Sequence, residues 1–166
     1  MLEQSIYYWT LTKRQLCDIE CLLNGAFAPL TGFLNQADYV SVCENMRLTN
    51  GAFWPMPITL DVSESFAAQC VLGDRVILVD EENTPIARLI LEAIWQPDKV
   101  LEAEQVLGTT DRLHPGVNYL YDEAGAWYLG GKIEGLSRPK HYDFLQYRQT
   151  PAELKHAAAM FFIAGT

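Results

Sequence analysis

A polar five-residue turn between two apolar runs leaves the middle of this chain few folds to choose from. Arg75–Val79 and Pro85–Trp95 are rich in Val, Ile and Leu, and only Asp80-Glu81-Glu82-Asn83-Thr84 separates them. So short a connection joins antiparallel neighbours, because a parallel return needs a crossover of about a dozen residues or more. The pair therefore reads as a β-hairpin whose second strand is apolar on both faces apart from Arg88 and Glu92. From Met56 the apolar residues Met56, Ile58, Leu60 and Val62 alternate with Pro57, Thr59 and Asp61, the period of a half-buried strand. Pro57 places that strand near an edge or at its own beginning.

Helices precede and punctuate these strands. Thr12 followed by Gln15 has capping-box spacing, Leu16, Ile19, Leu22 and Leu23 form an apolar stripe, and Asn24-Gly25 ends the helix. The apolar stretch 27–33 is broken by Pro29 and Gly32 and reads as a loop pinned by Leu30 and Phe33. Asn35 with Asp38 opens a short helix that carries Tyr39, Val40 and Cys43 inward, and Asn50-Gly51 makes a turn. Ser63 starts a helical turn through Phe66 and Ala67, closed by Gly73. Pro97-Asp98 starts a further helix with Val100, Leu101 and Leu107 before a Gly108 stop. A short run from Val117 to Tyr121 then leads through a hairpin turn at Asp122-Glu123-Ala124-Gly125 into a strand over 127–134. Thr150-Pro151-Ala152-Glu153 begins another helix. Too few long helices alternate with strands for a doubly wound parallel sheet, so the expected class is α+β, with a small antiparallel or mixed sheet curled into a barrel and several short flanking helices.

At 166 residues the chain suits one domain with a short appendage. Twelve Lys and Arg stand against 21 Asp and Glu, a net charge of −9, which removes the phosphate-neutralising contribution that drives nucleic-acid binding and argues against anionic membranes. The longest apolar run, Ala157 to Ala164, is far below the roughly 20 residues that span a bilayer, and Met1-Leu2-Glu3-Gln4 opens no secretory signal, so a cytoplasmic location is expected. Cys17, Cys21, Cys43 and Cys70 have no C-x-x-C pair and no shared spacing with His114, His141 or His156. They read as reduced small hydrophobes, and no metal site is expected.

A catalytic constellation is not visible. The chain has no Walker loop, no G-x-G-x-x-G after a strand and no G-x-S-x-G elbow. Gly130-Gly131, inside an aromatic strand, reads as a bulge or a close backbone approach rather than an anion cradle. His114 before Pro115-Gly116 sits in a turn, and Glu81-Glu82 and Asp122-Glu123 read as solvated turn acids. One basic cluster remains: Arg138, Lys140, His141 and Arg148 offer a possible anion or interdomain contact, with a solvated face or docking surface the blander alternative.

Several blocks resemble one family. The stretch from Leu11 to Asn35 is similar to the opening of ATP sulfurylase (sulfate adenylyltransferase). The similarity continues through Glu44–Leu48, Trp54–Asp61, His114–Val117, Gly130-Gly131 and Thr150–Leu154. The wording around Met46 to Asp61 is also similar to bacterial forms fused to adenylylsulfate kinase. The resemblance implies a PUA-like pseudobarrel at residues 1–150, with 151–166 beginning the linker or helix toward a catalytic domain absent from this chain. It implies a nucleotidyltransferase that makes adenylylsulfate and pyrophosphate from ATP and sulfate with Mg²⁺, in sulfate assimilation or oxidation. It also implies a catalytic Gln-x-Arg-Asn-Pro-x-His-x-x-His motif in that following domain. The motif does not occur here, so no catalytic, cofactor-binding or metal residue is carried over. The expected partners are the missing catalytic domain and further copies of the chain, with the apolar run His156 to Ala164 docking on one of them. Two alternatives belong to other classes: a freestanding PUA-like RNA-binding module, or a regulatory domain that holds an anion or small ligand at the basic cluster.

Overall fold

The computed structural model describes residues 5–137 and, beyond them, 150, 151, 153, 154 and 156. Its elements are β1 (Ile6–Thr10), α1 (Lys13–Leu23), β2 (Gly32–Phe33), α2 (Gln36–Asn45), β3 (Leu60–Val62), α3 (Glu64–Ala67), β4 (Arg75–Val79) and β5 (Pro85–Trp95). After them come α4 (Lys99–Glu102), continued by a π-helical turn at Ala103–Leu107, then α5 (Pro115–Asn118), continued by a second at Tyr119–Glu123, and β6 (Trp127–Gly135). Six strands form one mixed sheet in the order β1-β4-β5-β6-β2, with β3 also on β6. Only β1 and β4 run parallel; the other pairings are antiparallel. The class is α+β, but no ladder among the described residues joins β1 to β2 or β3, so the sheet does not close into the expected barrel.

The hairpin forms as its sequence dictates. Asp80 Oδ1 accepts the backbone N–H groups of Glu82 and Thr84, which turns the chain between β4 and β5. Val76, Leu78, Ile86, Leu89 and Leu91 of that hairpin are essentially inaccessible and pack with Leu60, Val62, Leu129 and Ile19. Each such burial is worth about 1.5–3 kcal/mol, so this layer holds the sheet together. Gly130 and Gly131 face the register shift between Leu91 and Ala93 on β5. A Cβ on Gly130 would collide with the Leu34 carbonyl, and one on Gly131 with that of Ile90. The reading of a bulge with close backbone approach holds.

The helix starts also match. The Thr12–Gln15 capping box is complete, Asn35 Oδ1 caps α2 through the Asp38 N–H, and Ser63 caps α3. The Thr150–Glu153 box forms both of its bonds, at 2.7 and 3.2 Å.

Four further expectations change. On α1 the buried face carries Gln15 with Ile19 and Leu22, while Leu23 is exposed. On α2, Val42 rather than Val40 joins Tyr39 and Cys43 in the interior. The strand foreseen from Met56 is regular only over Leu60–Val62, because β3 pairs Trp127–Leu129 and β2 takes the edge of β6 from Gly131 onward. The run from Val117 to Tyr121 is helical: Pro115 occupies the first turn and His114 Nδ1 accepts the Gly116 N–H, a helix start that outweighs the apolar run. None of the described helices is long and apolar enough to cross a membrane.

Candidate functional site

The helix after β5 carries the least expected side chain. Its apolar residues Val100 and Leu101 face outward, at 54% and 45% exposure, while Glu102 and Ala103 turn into the protein. Glu102, 9% exposed, lies against a second cluster formed by Tyr39, Val42, Cys43, Leu48, Trp95 and Tyr128. Two phenols donate to one of its oxygens: Tyr39 Oη to Oε2 at 2.7 Å and Tyr128 Oη to the same atom at 2.9 Å. The rings of Tyr39, Trp95 and Tyr128 meet edge-on or tilted, with centroids 5.5–5.8 Å apart. This packing fixes the hydroxyl directions.

Burial pushes the Glu102 carboxyl above its usual range, opposed by the two tyrosine hydrogen bonds and by Lys99 and Arg14. Burial, reinforced by the Glu102 carboxylate, raises both phenols, so Tyr39 and Tyr128 stay protonated donors. Burial lowers Lys99, whose Nζ donates to the Ala124 carbonyl at 2.7 Å.

Beside this carboxyl lies a cavity of about 130 Å³, between α1, the segment 56–61, the two π-helical turns and β6. Gln15 builds its rear wall. Its Oε1 accepts from the Trp9 indole and the Thr12 N–H, and its Nε2 donates to the Asp61 carbonyl and Oδ1 at 2.7 and 3.0 Å. Asp61 Oδ2 accepts the Gly125 N–H at 2.7 Å. Asp18 stands at the mouth, its carboxyl raised by burial and lowered by Arg14. The Arg14 guanidinium lies 4.4 Å from the centre of the Tyr119 ring. Met56, Pro57, Val106, Leu107 and Leu120 form the apolar side. Chemically this is a small enclosed cleft with one polar wall and one apolar wall, able to bind but without a nucleophile–base pair for covalent work.

Arg138, Lys140, His141 and Arg148 lie outside the described residues. His114 is exposed and caps its own helix. Among the described residues no group of three or more His, Cys, Asp and Glu side chains is arranged to hold a metal ion. The cleft's own residues carry no sequence signal of a cleft, for physical reasons. Gln15 is legible in sequence only as a helix cap and Asp61 only as a polar position in a strand, while Glu102 carries no local signal. Nothing local marks an acid whose partners sit 63 and 26 residues away.

Residues 2–138 match the family model of the PUA-like domain. A sulfate adenylyltransferase from Candida albicans is 50% identical over 155 residues, covering 88% of this chain and 29% of its own length. The sulfate adenylyltransferase of Saccharomyces cerevisiae is 48% identical over 150 residues, covering 90% of this chain and again 29% of its own length. Among solved structures, a hexameric APS kinase from Thiobacillus denitrificans superposes with a TM-score of 0.71 at 32% identity, covering 94% of this chain and 26% of that one. The chain thus spans under a third of the length of the relatives it matches. With its mixed sheet, capped short helices and this pattern of similarity, the chain belongs to the PUA-like domain family, in the form carried by sulfate adenylyltransferases.

Proposed function

We propose that this chain works as the N-terminal, non-catalytic domain of a sulfate adenylyltransferase, packing against the catalytic domain and shaping contacts between subunits. The observation that carries this reading is the coverage: about half identity across nearly the whole chain, against 29% of the length of the relatives. The absence of Gln-x-Arg-Asn-Pro-x-His-x-x-His from the sequence supports it. On this reading residues 1–150 form the PUA-like unit and 151–166 begin the connection to the catalytic domain. Arg138, Lys140, His141 and Arg148 then stand near that junction as anion or interdomain contacts. ATP, Mg²⁺ and sulfate belong to the remainder of the enzyme, where positioned cations stabilise charge developing on the phosphates. The hexameric assembly of the Thiobacillus relative supports a homo-oligomer, and the net charge of −9 supports a domain that leaves nucleic acid alone.

The test is a chimera in which this chain replaces the matching segment of the Saccharomyces cerevisiae enzyme, assayed for sulfate-dependent pyrophosphate release. The expected result is turnover by the chimera and none by the isolated chain. Turnover by the isolated chain, or a folded chimera without activity, overturns the reading.

A further inference from the structure

The cleft beside Glu102 has a use that domain packing does not require. Its hydrogen-bonding inventory is lopsided. Several donors of the inner wall are committed, Tyr39 and Tyr128 to Glu102 Oε2 and Gln15 Nε2 to Asp61, while Lys99 Nζ gives one of its three N–H groups to the Ala124 carbonyl. Acceptors remain. Glu102, nine-tenths buried and lining the cavity, takes both phenols on Oε2, and no described residue donates to its Oε1. A carboxylate offers about four lone-pair sites, so Asp61, with one donor to Oδ1 and one to Oδ2, also keeps capacity. Asp18 adds a third carboxyl and takes part in none of these buried bonds. Two cations stand near the three carboxyls: Lys99, which acts on Glu102 and Asp61, and Arg14, whose guanidinium lies 4.4 Å from the centre of the Tyr119 ring. A space of about 130 Å³ would hold about four waters at roughly 30 Å³ each. The same space fits a group of four to six heavy atoms.

The geometry points to a binding site for a small organic cation with N–H donors, an ammonium or a guanidinium. Its charged head lies against Glu102, Asp18 and Asp61 and its carbon lies against Val106, Leu107 and Leu120. A donor-only head complements a wall of spare acceptors, and an anion there would face three carboxyls. Inorganic cations gain less, since they find no use for the apolar side. This inference stands independently of the sulfurylase reading, because it rests on the cleft alone.

The test uses the isolated chain, whose described residues carry their own core. Methylammonium or guanidinium chloride is titrated at millimolar concentration and followed by the backbone amide NMR signals of Gly116, Ala124 and Gly125, which border the cleft. The expected result is saturable shifts confined to these and neighbouring amides, not reproduced by sodium chloride at equal ionic strength. Asp18→Asn, at the mouth and outside the buried network, weakens binding about tenfold, the loss of one charge-assisted hydrogen bond. Glu134→Gln, remote on β6 and paired with Arg88, leaves binding unchanged. Capped arginine and lysine amides form a second arm: tighter binding by these identifies a side chain from another polypeptide as the source, and tighter binding by the free ions identifies a soluble amine. Shifts that grow without saturation, that sodium chloride or sodium sulfate reproduce, or that Asp18→Asn leaves intact overturn the assignment.

Discussion

Removing one hydroxyl from the buried carboxyl cluster tests how the second packing layer is held. Tyr128 is 2% exposed and its ring packs against Tyr39 and Trp95, so Tyr128→Phe keeps the packing and deletes only the donor to Glu102 Oε2. A hydrogen bond to a charged group contributes about 1.5–3 kcal/mol, and the buried carboxyl is left with one donor, so the expected cost is about 2 kcal/mol. At about 2–4 °C per kcal/mol for a domain of this size, the midpoint of thermal unfolding falls by about 4–8 °C. Urea denaturation followed by tryptophan fluorescence gives the free energy directly. The decisive step repeats Tyr128→Phe in a Glu102→Met background. Without the carboxyl the Tyr128 hydroxyl is a buried group lacking an acceptor, and deleting it becomes neutral or stabilising. Equal costs in the two backgrounds would show that the hydroxyl and the carboxyl are not coupled, and would refute the account of this layer.

Three further outcomes follow from the same structure. Glu102 titrates above its ordinary value of 4.5 in the folded protein, so the folded state holds its proton more tightly than the unfolded chain. Stability associated with this group is therefore greatest below pH 4.5 and declines as pH rises through the folded value. Glu102→Gln removes that decline, so the variant gains on the parent as pH rises from 4.5 through the folded value, and parallel stability profiles would contradict the burial argument. Burial pushes the Cys43 thiol up to about 12 and the Cys70 thiol up to about 11, whereas Cys17 is exposed. Thiol titration of the native protein should label Cys17 first and reach Cys43 and Cys70 only after denaturant is added; early labelling of Cys43 would refute this. Gly130→Ala drives a Cβ into the Leu34 backbone, for a loss of about 3 kcal/mol or more, and a variant as stable as the parent in urea would remove the close-approach reading.

Local chemistry made much of the fold legible. The β4–β5 hairpin, the caps at Thr12, Asn35, Ser63 and Thr150, and the bulge at Gly130-Gly131 each depend on residues that are close in sequence or on the backbone freedom of glycine. The family was legible too, since whole blocks such as 11–35 carry it. Tertiary structure alone decided the rest. Which face of α4 turns inward depends on Tyr39 and Tyr128, distant in sequence, offering two hydroxyls that make burying Glu102 tolerable while Val100 and Leu101 stay outside. The length of β3 depends on β2 having taken the neighbouring edge of β6, and no strand among the described residues bridges β1 to that edge. The cleft exists only where α1, the segment before β3, and the two π-helical turns converge. Hydrophobic periodicity reports what a residue prefers to bury; it carries no record of the partner that makes burying a charge possible.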